Sequence, residues 1–108
     1  MNKQMLVAGG GIGGLAAALA ASRAGWEVRL YEQADAFGEV GAGVQLGPNV
    51  TRILDAWGLM PDLARVAAYP DQLQVFDGRS GERLGVLPLG ERSVQRYGAP
   101  YVTIHRAA

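Results

Sequence analysis

The feature that most constrains this chain is three glycines, Gly9, Gly11 and Gly14, spaced G-x-G-x-x-G directly after the apolar run Met5-Leu6-Val7-Ala8. An alanine-rich segment follows as far as Gly25, then an alternating run from Trp26 that ends on Glu32. The order reads as strand, glycine turn, helix, strand, carboxylate. A glycine at position 9 permits a tight turn off the first strand. At position 11 it leaves the main chain bare, so a pyrophosphate can approach. At position 14 it lets the helix lie close to the sheet. The helix N-terminus adds unpaired N–H groups and the positive end of its dipole. Glu32 stands about 20 residues beyond the glycines, where an acid accepts hydrogen bonds from a ribose.

The surroundings of the motif agree with it. Ala18 is small and falls on the helix face toward the sheet. Gly25 sits where a left-handed C-cap is expected. Val28 and Leu30 alternate with Arg29 and Tyr31, as a strand should. The fold class expected is α/β, a Rossmann-like βαβ unit for FAD or NAD(P). Its strands cover 3–8 and 26–31 and its helix 12–24. The unbroken apolar character of the first strand predicts burial on both faces.

Composition removes several alternatives. Lys+Arg 10 against Asp+Glu 10 gives a net charge of +0, without the basic excess of a nucleic-acid binder. Cys is 0 and His is 1, which excludes a disulfide framework, a thiolate metal site and a multi-histidine site, so no metal is expected. No apolar stretch reaches the roughly 18 residues of a membrane span. No signal-peptide pattern separates from the glycine motif. The expected location is cytoplasmic. A doubly wound sheet needs more parallel strands than the two that 108 residues offer here. The expectation is therefore an incomplete domain, the N-terminal portion of a longer enzyme.

After the second strand, 33–47 reads as a loop rich in glycine (Gly38, Gly41, Gly43, Gly47), able to pass close to a flat ligand. Pro48-Asn49 opens a helix in which Val50, Ile53, Leu54 and Trp57 recur at helical spacing, with Gly58 at its end and Trp57 in the core. A second short helix is expected over 62–68, with Leu63 and Val66 inward and Pro70 beyond it. The period then changes. Leu73 and Val75 alternate with glutamines, Gly78-Arg79-Ser80-Gly81 makes a turn, and 83–87 is apolar again. This is an antiparallel hairpin in a different layer from the nucleotide strands. The polar stretch 91–100, with Arg92, Arg96 and Tyr97, reads as a solvated loop. Residues 101–104 form a short strand or the approach to a helix near Arg106. The domain plan is 1–70 for nucleotide binding, 71–100 for the substrate-side hairpin and loop, and 101–108 for the start of the next helix.

The glycine fingerprint with Ala18, Gly25 and Glu32 resembles the FAD-binding N-terminus of glutathione-reductase-like flavoproteins. Two later stretches narrow the resemblance. Glu39-Val40-Gly41-Ala42-Gly43-Val44-Gln45-Leu46-Gly47-Pro48-Asn49 is similar to the loop after the ribose acid in class A flavin aromatic hydroxylases. Tyr101-Val102-Thr103-Ile104-His105-Arg106 is similar to the segment carrying their FAD-binding arginine. Within that family the chain is most similar to the salicylate hydroxylase and 3-hydroxybenzoate 6-hydroxylase branch.

The resemblance implies an FAD-dependent monooxygenase. It would use NADH or NADPH as co-substrate, with O2, to hydroxylate a small aromatic of the phenol or benzoate type. It also implies cofactor-binding positions. Gly9, Gly11, Ile12, Gly13 and Gly14 form the pyrophosphate turn. Glu32, with Gln33 beside it, meets the adenosine ribose. Val44 and Gln45 pass near the flavin, and Arg106 forks onto the cofactor with its guanidinium. His105 reads as a packing or capping residue, since the one histidine of the chain cannot form a catalytic pair with a second. The catalytic residues are not identified. The family's Asp-Gly and Gly-Asp stretches lie beyond residue 108. Two rival readings remain: an NAD(P)-dependent dehydrogenase or reductase on the same βαβ unit, and a truncated nucleotide-binding module without activity. Simple dehydrogenases return quickly to a third parallel strand. This chain runs instead through a loop, two helices and a hairpin.

Overall fold

The computed structural model describes residues 3–36, 38 and 43–106. In chain order the elements are β1 (Gln4–Ala8), α1 (Ile12–Arg23), β2 (Glu27–Tyr31), β3 (Gly43–Leu46), α2 (Pro48–Ala56), α3 (Met60–Ala64), β4 (Gln72–Phe76), β5 (Arg83–Pro88), α4 (Gly90–Tyr97) and β6 (Val102–His105). They fall into two units, Met1–Gly38 and Glu39–Ala108.

In the first unit, β1 and β2 are parallel, from Gln4 opposite Glu27 to Ala8 opposite Tyr31. α1 makes the crossover. It ends where the sequence indicates, with Gly25 at φ +90° and the Trp26 N–H returning to the Ala21 carbonyl at 3.0 Å. Burial alternates along both strands. Met5, Val7, Val28 and Leu30 are half-buried, while Leu6 is 65% and Tyr31 57% exposed. This corrects the expectation of two-sided burial for β1. The apolar run is continuous, but α1 covers one face, the one to which Val7 turns beside Gly14.

In the second unit, β3 and β6 pair antiparallel, from Gly43 opposite His105 to Leu46 opposite Val102. The loop expected over 33–47 is thus shortened at its end by β3. The alternation of Val44, Gln45 and Leu46 is too brief to announce a strand, and its partner lies far along the chain. Gly41, one of that loop's glycines, falls outside the described residues. α2 opens with Pro48 in its first turn after Gly47, as expected. Its Thr51 is fully buried, while Trp57, at the C-cap, is half-buried.

α3 is shorter and earlier than the helix expected over 62–68. Ala68 leaves it to pair with Thr103, through backbone bonds of 2.8 and 2.9 Å. A tertiary partner overrides the local preference there. β4 and β5 form the expected antiparallel hairpin, with a bulge at Val75/Phe76. The expected solvated loop over 91–100 is corrected to a helix, α4, closed by Gly98 at φ +76°. Most of its residues are polar, and its apolar pair, Val94 and Tyr97, is too short a pattern to mark a helix in the sequence. It is held by Ser93, which is buried. The core of this unit holds Val102, Thr51 and Ala99. β6 takes the strand alternative for 101–104; the helix expected after Arg106 falls outside the described residues.

Among the described residues, no helix is long and apolar enough to cross a membrane. Among the same residues, no group of three or more His, Cys, Asp or Glu side chains is placed to hold a metal ion.

Candidate dinucleotide site

The site begins where the β1–β2 ladder stops. Gly9 donates its N–H to the Tyr31 carbonyl at 2.7 Å and turns the chain at φ +110°, a conformation that side chains with a Cβ rarely adopt. Gly11 is the N-cap of α1 and gives it no side-chain cap. The first helical bond runs from the Leu15 N–H to the Gly11 carbonyl at 2.9 Å. The N–H groups of Ile12, Gly13 and Gly14 therefore have no acceptor inside the helix. A Cβ on Gly14 would lie 1.9 Å from the Gly9 carbonyl oxygen, so the helix sits on the turn with no room between them. A Cβ on Gly13 would meet nothing within 4 Å, so the turn is open on that side.

Glu32 reaches back to this turn from the end of β2. One carboxylate oxygen, Oε1, accepts the Gly10 N–H at 3.0 Å; the other, Oε2, accepts the Ala34 N–H at 3.0 Å. The Ala34 and Gly10 N–H groups, with a smaller contribution from Gln33, hold the carboxyl below the usual glutamate range against a partial opposing effect of desolvation. Glu32 is thus an anion at neutral pH. Its side chain passes directly over Gly10. A Cβ there would meet the Glu32 Cβ at 3.2 Å and Cγ at 3.3 Å. Gly10 was not among the residues that sequence reasoning selected. The available signal was the unbroken Gly9-Gly10-Gly11 run, whose middle residue the motif leaves free.

The remaining candidates gather in the second unit. The β3–β6 ladder sets Val44 opposite Ile104 and Gln45 opposite Thr103, and Arg106 follows directly on β6. Val44 is half-buried; Gln45, His105 and Arg106 are exposed. The structure therefore brings Gly9, Gly11, Ile12, Gly13, Gly14, Glu32 and Gln33 together in one unit, and Val44, Gln45 and Arg106 together in the other. Two buried hydroxyls that sequence reasoning missed position the second group. Thr51 Oγ1 donates to the Pro100 carbonyl at 2.7 Å, and Ser93 Oγ donates to the Ala99 carbonyl at 3.2 Å. Together they fix the chain just before β6. An open cleft of about 690 Å³ in the same unit is lined by Tyr69, Asp71, Glu91 and Tyr101 among others. No residue that the sequence singles out for the cofactor lines it.

The donor set suits a nucleotide diphosphate. Main-chain N–H groups stand at a helix start, space lies open beside Gly13, and an acid is seated on the turn. Comparison with known proteins agrees. Residues 7–47 match the NAD(P)-binding Rossmann-like domain. Over nearly its whole length the chain is similar to aromatic hydroxylases and monooxygenases. It is 50% identical over 102 residues to a 3-hydroxybenzoate 6-hydroxylase of Polaromonas naphthalenivorans, covering 94% of this chain and 26% of that protein. It is 47% identical over 103 residues to a 6-hydroxynicotinate 3-monooxygenase of Bordetella bronchiseptica, covering 95% of this chain and 27% of that protein. Among solved structures it resembles Klebsiella pneumoniae HpxO complexed with FAD and uric acid. There the TM-score is 0.75 at 30% identity, covering 97% of this chain and 26% of HpxO. The chain thus spans about a quarter of the length of the relatives it matches.

Proposed function

We propose that this chain is the FAD-binding part of a flavoprotein monooxygenase. The protein would hydroxylate a small aromatic of the hydroxybenzoate or hydroxypyridine type, with NADH or NADPH and O2. The observation that carries the reading is Glu32: an anionic carboxylate seated on a glycine turn, beside helix N–H groups with no acceptor of their own. The relatives named above supply the substrate class. In this reading the βαβ unit is of the glutathione-reductase-like type, and the protein is cytoplasmic. Residues 1–70 serve nucleotide binding, 71–100 the substrate side and 101–108 the following helix.

Each residue has a defined task. The N–H groups of Ile12, Gly13 and Gly14 bind the diphosphate, while Gly9 and Gly11 keep the approach clear. Glu32 accepts from the ribose hydroxyls, with Gln33 alongside. Val44 and Gln45 flank the flavin ring, and the Arg106 guanidinium adds charge-assisted bonds to the cofactor. FAD held by these residues would supply the redox chemistry of the overall reaction, in which the aromatic, O2, NAD(P)H and a proton give the hydroxylated ring, water and NAD(P)+. The protein's share is to bind, orient and exclude water.

The test is flavin content after purification, followed by NAD(P)H oxidation with 3-hydroxybenzoate and with 6-hydroxynicotinate. A protein retaining FAD whose NAD(P)H oxidation rises with either aromatic supports the assignment. A colourless protein that binds NADH at the glycine turn would replace it with the dehydrogenase reading, which the NAD(P)-binding description of residues 7–47 favours.

A further inference from the structure

We propose that Glu32 is a positioning residue that assembles the glycine turn before any nucleotide arrives, clipping the Gly10 N–H and the Ala34 N–H onto one carboxylate. The hydrogen bonds of the turn support this directly. The last ladder bond in this region belongs to the Gly9 N–H, and the first helical bond accepts on Gly11. Gly10 lies between the two regimes and is buried, so its N–H needs an acceptor that neither strand nor helix supplies. Glu32 Oε1 is that acceptor. The absence of a side chain at Gly10 makes the room, because a Cβ would press on Glu32 itself.

Oε2 extends the clip in the other direction. By accepting the Ala34 N–H it ties down the chain leaving β2. The glycine turn and the start of the following segment are then fixed as one piece. A carboxylate has about four lone-pair sites, and the clip uses two. The others remain for ribose hydroxyls, so clip and ligand contact coexist. This role deepens the flavin reading for its second half only. The clip itself operates with no ligand bound.

Amide hydrogen exchange in the nucleotide-free protein separates the two roles. In Glu32→Ala, the Gly10 and Ala34 amides are expected to exchange about tenfold faster than in the unsubstituted protein, as for loss of one charge-assisted hydrogen bond each. In Glu32→Gln the acceleration is partial, since a single amide oxygen replaces two carboxylate oxygens. The Met5, Val7 and Arg29 amides, which face the partner strand in the β1–β2 ladder, keep their protection in both variants. Unchanged exchange at Gly10, or equal acceleration across the ladder, would overturn the clip. The flavin assignment fails separately. A protein that retains FAD while Gly10 exchange ignores the substitution loses the clip alone. One that shows the clip but retains no FAD loses the flavin assignment alone.

Discussion

Two long-range ties hold the parts of this molecule proposed to meet a cofactor, and they differ in kind. Glu32 reaches Gly10 across 22 residues with an exposed, charged carboxylate. Thr51 reaches Pro100 across 49 residues with a buried, neutral hydroxyl. The first tie faces solvent with lone pairs to spare, so the group that shapes the turn can also meet a ligand. The second is sealed in the core, repeated by Ser93 on Ala99, and has nothing left to offer one. It sets where β6 begins and so where Arg106 stands. One tie builds a site; the other builds the scaffold that carries a site.

The largest effect expected is at Gly14. Gly14→Ala puts a methyl group against the Gly9 carbonyl, which as main chain cannot rotate away. It should cost about 3 kcal/mol of stability by denaturant unfolding and abolish FAD retention. Gly13→Ala, one residue away and in open space, should leave the unfolding midpoint nearly unchanged. If both variants behaved alike, the close packing of α1 on the turn would not be what shapes the cradle. Next comes Glu32→Ala, expected to weaken FAD binding roughly tenfold or more and to lower the unfolding midpoint less than Gly14→Ala does, since it leaves the part-buried Gly10 N–H without its acceptor. Thr51→Val should act on stability alone. It leaves the Pro100 carbonyl without its donor in the core and costs about 1–3 kcal/mol, with FAD content maintained in the folded protein. Ser93→Ala, whose bond is longer, should follow the same pattern at about 1 kcal/mol. A loss of FAD from Thr51→Val at unchanged stability would erase the distinction between the two ties.

The sequence carries these two regions unequally, for physical reasons. The glycine turn is legible because main-chain geometry dictates residue type at Gly9 and Gly14, and because its acid follows at a fixed distance. Helix α2 is legible from Pro48 and the spacing of its apolar residues. β3 and α4 are not. β3 is a strand because β6 pairs with it, and four residues give no period of their own. α4 is mostly polar, and among its ties is a buried serine hydroxyl on the Ala99 carbonyl, which no spacing rule encodes. Thr51 likewise sits in a helix as an ordinary threonine until the fold brings Pro100 to it. Even in the legible region Gly10 carries no signal, because the motif treats it as a free position while the structure gives its N–H to Glu32.

The smallest effect expected is the response to acid, where the two ties should separate most cleanly. The Glu32 carboxyl is held below its usual value of 4.5 by backbone N–H donors, so the unfolded chain binds its proton more readily than the folded one. Its contribution is therefore complete above that value and declines as the pH falls through the lowered folded value. Asp77 repeats the behaviour locally. It is held below 3.8 by the Ser80 and Arg79 N–H groups of the hairpin turn. The Thr51–Pro100 tie contains no titrating group. In an NMR titration of the nucleotide-free protein, the Gly10 and Ala34 amide shifts should move together with a midpoint below 4.5, while the amides of Val102 and Thr103 stay flat over the same range. A Gly10 shift that titrates at or above 4.5 would mean that the anion gains nothing from the turn, and Glu32 would then be an acid waiting for a ribose rather than one that also shapes the place where the ribose goes.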